Sequence, residues 1–242
     1  VNVDHVATVR NARGTTYPDP AHAARVCLDA GANGITAHLR EDRRHIRDED
    51  MARIREVVEL PAIFNMECAA TDEMIAIAKR LAPECVTLVP ERREERTTEG
   101  GLDVASGGES LAKRVRALID AKIKVSLFVA PEADQIRASK ALGAQQIELH
   151  TGEYAHAFGA PNERNELERL ARGARLGHDL GMEVAAGHGL TRDNVGALVR
   201  IEEIVELNIG HAMIADALFL SMAGSVRAML SVVGEKPRTL DT

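Results

Sequence analysis

A chain of 242 residues with a net charge of -7 and a pI near 5.8 lacks the basic face that nucleic-acid binding calls for, and no apolar run reaches the roughly 18 residues needed to span a bilayer. The three cysteines, Cys27, Cys68 and Cys85, are odd in number and show no CxxC spacing, which reads as reduced, buried thiols in a cytoplasmic protein rather than a disulfide framework. With 45% hydrophobic residues, 2% aromatics and no Trp, the core has to be aliphatic, as suits parallel strands covered by helices.

Val1-Asn2-Val3-Asp4 reads as a first strand with no Met ahead of it, so further N-terminal residues are expected to precede this numbering. Strand patterns follow at 34–38, 62–67, 85–89, 123–128, 146–150, 183–187 and 205–209. Helical patterns lie between them, near 18–30, 48–58, 72–82, 109–120, 131–142, 163–180, 191–200 and 212–232. Thr71-Asp72-Glu73 supplies a cap and an acidic first turn, and glycines at 31, 143 and 181 close helices before the next strand. Eight strand–helix units without a linker predict an α/β fold, one (β/α)8 TIM barrel domain over residues 1–242. The run from Pro90 to Gly108 is polar, charged and long for a compact domain. It reads as a lid over the strand ends or as a solvated surface loop.

Barrel chemistry sits at the C-terminal ends of the strands. Polar residues there are Asp4-His5, His38, Glu67, Glu148 with His150, Gly187-His188-Gly189 and Gly210-His211. Taken singly, each histidine could be a hydrogen-bonded core residue, and each glutamate one half of an interior salt bridge. Together, imidazoles and carboxylates meeting at one mouth form an acid–base set able to move several protons near neutral pH. Basic groups suggest two phosphate sites. Arg13 lies after the first strand, Arg40, Arg43, Arg44 and His45 follow the second, and the 187–189 and 210–211 segments precede helices whose N-termini favour anions. The arginines could equally form surface ion pairs with Glu41, Asp42 and Asp48. The first strand offers Asp-His rather than His-x-His, and neither HExxH, GxGxxG nor GxxxxGK[ST] is present. A metal-dependent hydrolase, a nucleotide-binding enzyme and a non-catalytic phosphate binder are therefore weaker readings than a phosphate-handling barrel enzyme.

Asn2-Val3-Asp4-His5, Arg10 to Gly14, His38 to Ile46, Asn65-Met66-Glu67, Thr97 to Val104, Ile147 to Gly152, Ala186 to Thr191 and Leu207 to Ala212 resemble, in order, the motifs of the PdxJ family of pyridoxine 5'-phosphate synthases. The resemblance implies a barrel with additional helices, assembled as a homo-octamer in the cytoplasm. It implies a condensation of 1-deoxy-D-xylulose 5-phosphate with 3-amino-2-oxopropyl phosphate, without metal, cofactor, nucleic acid or membrane. Family roles map onto matching positions. His38 and Glu67 would accept protons, His188 would donate one, and Glu148 would stabilise charge. Asn2, Arg13, Gly189, Gly210 and His211 would hold the aminoketone phosphate. Asp4, His5, Arg40, His45 and Thr97 would hold the xylulose phosphate, with Thr97 on the closing lid.

Overall fold

A computed structural model of the chain describes residues 1–91 and 100–234. Seven parallel strands lie in the order of the sequence: β1 (Gly34–His38), β2 (Ile63–Cys68), β3 (Cys85–Leu88), β4 (Lys124–Val129), β5 (Gln146–His150), β6 (Glu183–Gly187) and β7 (Ile204–Asn208). The sheet curls until its two edges share one short segment. Asn2 N–H donates to Ile209 O beyond β7 (2.9 Å), Val3 N–H donates to Thr36 O (3.0 Å), and Thr36 N–H donates to Val1 O (2.8 Å). The first of the eight barrel positions is thus a bridge of three residues and not a full strand.

That segment is short because Asp4 already opens a helix, α1 (Asp4–Arg13). Asn2 Oδ1 accepts the Asp4 N–H at 2.8 Å, a local side-chain turn that competes with further ladder formation. The stretch expected to be a loop around Arg10–Arg13 is therefore helical, ending at Gly14 in the left-handed conformation. The remaining helices are α2 (Pro20–Asp29), α3 (Asp48–Val57), α4 (Asp72–Leu81), α5 (Gly108–Asp120), α6 (Ala133–Ala141), α7 (Gly152–Ala157), α8 (Glu163–Asp179), α9 (Val195–Leu198), α10 (His211–Leu220) and α11 (Met222–Val233). The short helix α7 was not expected. The helix predicted at 191–200 shrinks to one turn, and the one predicted at 212–232 breaks at Ser221 (φ 64°) into two helices bent by 118°. Among the described residues, no single helix is long and apolar enough to cross a membrane.

Strand side chains alternate with period two. Ile35, Ala37, Phe64, Met66, Val86, Leu88, Val125, Leu127, Ile147, Leu149, Val184 and Ala186 are buried in the aliphatic core. The intervening residues reach across the barrel instead. Asn208 on β7 bonds to Glu67 on β2, Gln146 on β5 to Glu206 on β7 (3.1 Å), and Cys85 on β3 contacts Gln146 on β5 (3.6 Å). Thr87 Oγ1 donates to Asn65 Oδ1 at 2.9 Å in the same interior. Barrel interiors are ordinarily packed with branched apolar side chains, whereas in this one polar side chains from β2, β3, β5 and β7 bond across the interior.

The chain between β3 and α5 is only partly a surface loop. Leu102 and Val104 are buried, and Leu102 N–H donates to Phe128 O (2.7 Å) while Val104 N–H donates to Gln135 Oε1 (2.8 Å). Gly101 (φ 86°) permits this descent, since a Cβ there would lie 2.6 Å from Ala130 N. The lid expected around Thr97 lies outside the described residues.

Candidate active site

The C-terminal strand tips bring most of the expected polar residues to one mouth. Asp4, at the start of α1, is buried, and its Oδ1 accepts the backbone N–H of His38 at 2.8 Å. His38, the last residue of β1, turns Nε2 to Glu91 Oε1 (2.9 Å) and Nδ1 towards Glu67 Oε2 (3.9 Å). Glu67 Oε1 and Glu148 Oε2 both accept from Asn208 Nδ2, at 2.9 and 3.1 Å. Asn2 Nδ2 approaches Glu67 Oε2 from the barrel seam (3.4 Å). One hydrogen-bonded chain therefore joins β1, β2, β5 and β7. Gly187 makes room for it, because a Cβ at that position would collide with Glu148 Oε1.

Electrostatics follow from this crowding of acids away from water. Burial pushes the Asp4 carboxyl up to about 6, opposed by nearby His38 and Arg40. Burial likewise raises Glu148 to about 8, with Asn208 opposing and Glu206 adding repulsion. Glu67 lies well above the carboxylate range, through burial first and then through Glu148 and Asp4. Burial is the dominant cause in all three. Donor atoms of Asp4, His38 and Glu67 also lie within 4.8 Å of one another, a spacing that suits either a metal ion or proton exchange.

Around this centre stand further rings. His45 lies 5.9 Å from His38 between centroids. Its Nδ1 accepts the Ile46 N–H (2.9 Å), so a neutral ring carries its proton on Nε2. Burial, with His38 and Arg40 nearby, lowers His45 to about 4. His5 and His211 meet edge to face at 5.2 Å, and burial followed by the charge of His211 lowers His5. His211 is the first residue of α10, and Gly210 caps it. A Cβ on Gly210 would come within 3.0 Å of Asn2 Cβ, so Asn2 sits directly against this helix start. On the opposite side, His188 adopts φ 86°, a conformation costly for a residue with a side chain. Its ring lies 4.9 Å from that of His150, with Phe128 beside both. Gly189 follows with φ 78°.

The basic groups divide. Arg40 stays near the centre, half-buried and paired with Asp42 at 3.2 Å. Arg43 pairs with Asp48 (2.9 Å) and Glu73 (2.6 Å), and Arg44 with Asp42 (2.6 Å), so these two follow the surface ion-pair reading. Arg13 is exposed in the last turn of α1, about 13 Å along the helix axis from Asp4 at 1.5 Å per residue. Thr97 lies outside the described residues. Two members of the network were not singled out in the sequence. Asn208 has the same inward phase at the end of β7 that marks Glu148 on β5, and this could have identified it. Glu91 carries no comparable signal, because it stands three residues beyond β3 in a run of charged residues.

Residues 1–235 match the family described as "Pyridoxal phosphate biosynthesis protein PdxJ". The chain is similar to the pyridoxine 5'-phosphate synthase of Rhodospirillum rubrum, 51% identical over 95% of this chain and 91% of that one. It is also similar to that of Gluconobacter oxydans, 54% identical over 96% of this chain and 97% of the relative. Among solved structures, phosphoribosyl anthranilate isomerase from Thermus thermophilus superposes with a TM-score of 0.57 at 14% identity, covering 88% of this chain and 94% of that one, a likeness of fold alone.

Proposed function

Because this chain belongs to the PdxJ family of pyridoxal phosphate biosynthesis proteins, we propose that it is an enzyme of vitamin B6 synthesis with pyridoxine 5'-phosphate synthase activity. It joins 1-deoxy-D-xylulose 5-phosphate to 3-amino-2-oxopropyl phosphate and releases pyridoxine 5'-phosphate, phosphate and water. The observation that carries this reading is the network of Asp4, His38, Glu67 and Glu148, in which three carboxyls bind protons unusually tightly beside one imidazole.

Ring formation needs that kind of set. The amine attacks a ketone and loses water to give an imine, phosphate leaves, water adds and leaves again, and a carbanion-like carbon closes the ring. Each step moves a proton at a different place, and groups that titrate near neutrality serve both directions. His38 and Glu67 accept protons, His188 donates one from its strained perch, and Glu148 stabilises developing charge. Asp4, His5, Arg40, His45 and Thr97 hold the xylulose phosphate. Asn2, Arg13, Gly189, Gly210 and His211 hold the aminoketone phosphate, with the first turn of α10 facing its anion. Holding both partners by their phosphates removes the entropic cost of bringing them together.

The cluster of Asp4, His38 and Glu67 exchanges protons and does not bind a metal in this scheme. Purified protein treated with a chelator and given both substrates is expected to form pyridoxine 5'-phosphate, detected by chromatography. Omitting either substrate should abolish the product, and Glu67→Gln should lower turnover by about 10²-fold or more. Restoration of a chelated enzyme only by a divalent cation, or turnover of the ketose phosphate alone, would overturn the scheme. The protein acts as one catalytic domain in the cytoplasm, and its assembly is a homo-octamer. Leu218 and Phe219, 76% and 88% exposed on α10, support burial against other copies.

A further inference from the structure

We infer that Glu91 is a positioning residue that dictates which ring nitrogen of His38 carries the proton, and so keeps Nδ1 free to act as the base. This rests on His38 being a proton acceptor. The Glu91 side chain is 4% exposed, and both its oxygens are engaged at the tip of β1. Oε1 lies 2.9 Å from His38 Nε2, and Oε2 accepts the Glu41 N–H at 2.9 Å. On the other side of the residue, the His38 N–H is held by Asp4. The imidazole is thus fixed at its backbone and at one ring nitrogen, with the other nitrogen pointed at Glu67.

The charge state of Glu91 decides the tautomer. Burial alone would raise its carboxyl, but the hydrogen bonds from His38 and the Glu41 N–H, with Arg40 nearby, bring it below its ordinary value. An ionised carboxylate only accepts, and a neutral imidazole has one donor and one acceptor nitrogen. The Nε2–H must therefore donate to Glu91, which leaves the lone pair on Nδ1, 3.9 Å from Glu67 Oε2. Glu91 also faces the imidazolium that forms once Nδ1 takes up a proton, and a buried carboxylate stabilises that cation. No bond to substrate is required of Glu91, so its contribution falls on the chemical step.

The test combines ring-nitrogen NMR with kinetics on the full chain. In protein labelled with 15N-histidine, the His38 resonances, assigned by their loss in His38→Asn, are expected to show a protonated Nε2 and an unprotonated Nδ1. In Glu91→Gln the amide can donate to Nε2 while its oxygen keeps the Glu41 N–H, so the proton should move to Nδ1. Turnover should then fall by about 10²-fold, with KM for each substrate changed less than about twofold. Glu91→Ala provides a second variant, in which the two tautomers should mix. A wild-type His38 protonated on Nδ1 would overturn the inference without need of any variant. So would an unchanged tautomer in a folded Glu91→Gln that has lost activity. Because the tautomer is read without substrate, the outcome stays separate from whether the condensation itself is the reaction.

Discussion

Glu148 gives the most direct link between burial and chemistry. Its carboxyl is 4% exposed, receives one amide hydrogen from Asn208, and titrates near 8. Asp4 titrates near 6 for the same reason. Unfolded, both would ionise near 4, so between about pH 4 and 8 these two carboxyls hold more protons in the folded protein than in the unfolded chain. Their contribution to stability falls as pH rises across that window, opposed below about pH 6.5 by His45, which burial keeps neutral. Glu148→Gln keeps the acceptor for Asn208 and removes the charge. It should melt higher than the parent at pH 8, flatten the decline of Tm between pH 5 and 8, and still lose most of its turnover. A melting scan at three pH values checks this, and a variant that melts lower than the parent at pH 8 would contradict it. The sequence made Glu67 and Glu148 visible because a carboxylate inside an apolar strand is costly and so calls for a reason. It did not reveal Glu91, whose meaning comes only from where β1 and β3 place their tips.

Among the elements, α1 departs most from what the sequence suggested. Read as a strand and a loop, residues 4–13 form a helix fastened to the β1–α3 connection. Arg10 donates to both oxygens of Asp50 (2.6 and 2.8 Å) and to His45 O (3.1 Å), and Asn11 Nδ2 reaches the same carbonyl (2.9 Å). Asp50 also accepts the Arg47 N–H (2.9 Å) at the start of α3. This fully buried pair fixes the backbone that presents His45. Losing one partner leaves a buried charge alone, so Arg10→Met should lower unfolding free energy by about 3–5 kcal/mol in urea titration. Arg10→Met combined with Asp50→Leu should recover much of it. A single variant as stable as the parent would show that water reaches Asp50. The other strands and longer helices were legible because their apolar period is strong and their ends carry caps. The first barrel position was not, because a valine-rich run of three residues signals a strand whether or not the ladder continues. The break at Ser221 was hidden in a largely apolar run, whereas at α9 the polar stretch from Thr191 to Asn194 stays outside the helix and leaves only Val195–Leu198 helical.

For the molecule as a whole, one mouth gathers the acids and imidazoles, while α10 carries two strongly exposed large apolar side chains, Leu218 and Phe219. If the proposed octamer packs through this face, Phe219→Glu should leave the barrel folded by circular dichroism and lower the mass seen by light scattering relative to the parent protein. An unchanged mass would move the contact elsewhere. The thiols offer an opportunity of a different kind. Cys27, Cys68 and Cys85 are the chain's full complement, all free and buried. Desolvation pushes Cys27 up to about 11 and raises the other two further, so none is a thiolate near neutrality and none is reachable by a maleimide. A single cysteine introduced at an exposed position of this chain would therefore stand apart from the three buried thiols as the site that takes a dye or spin label.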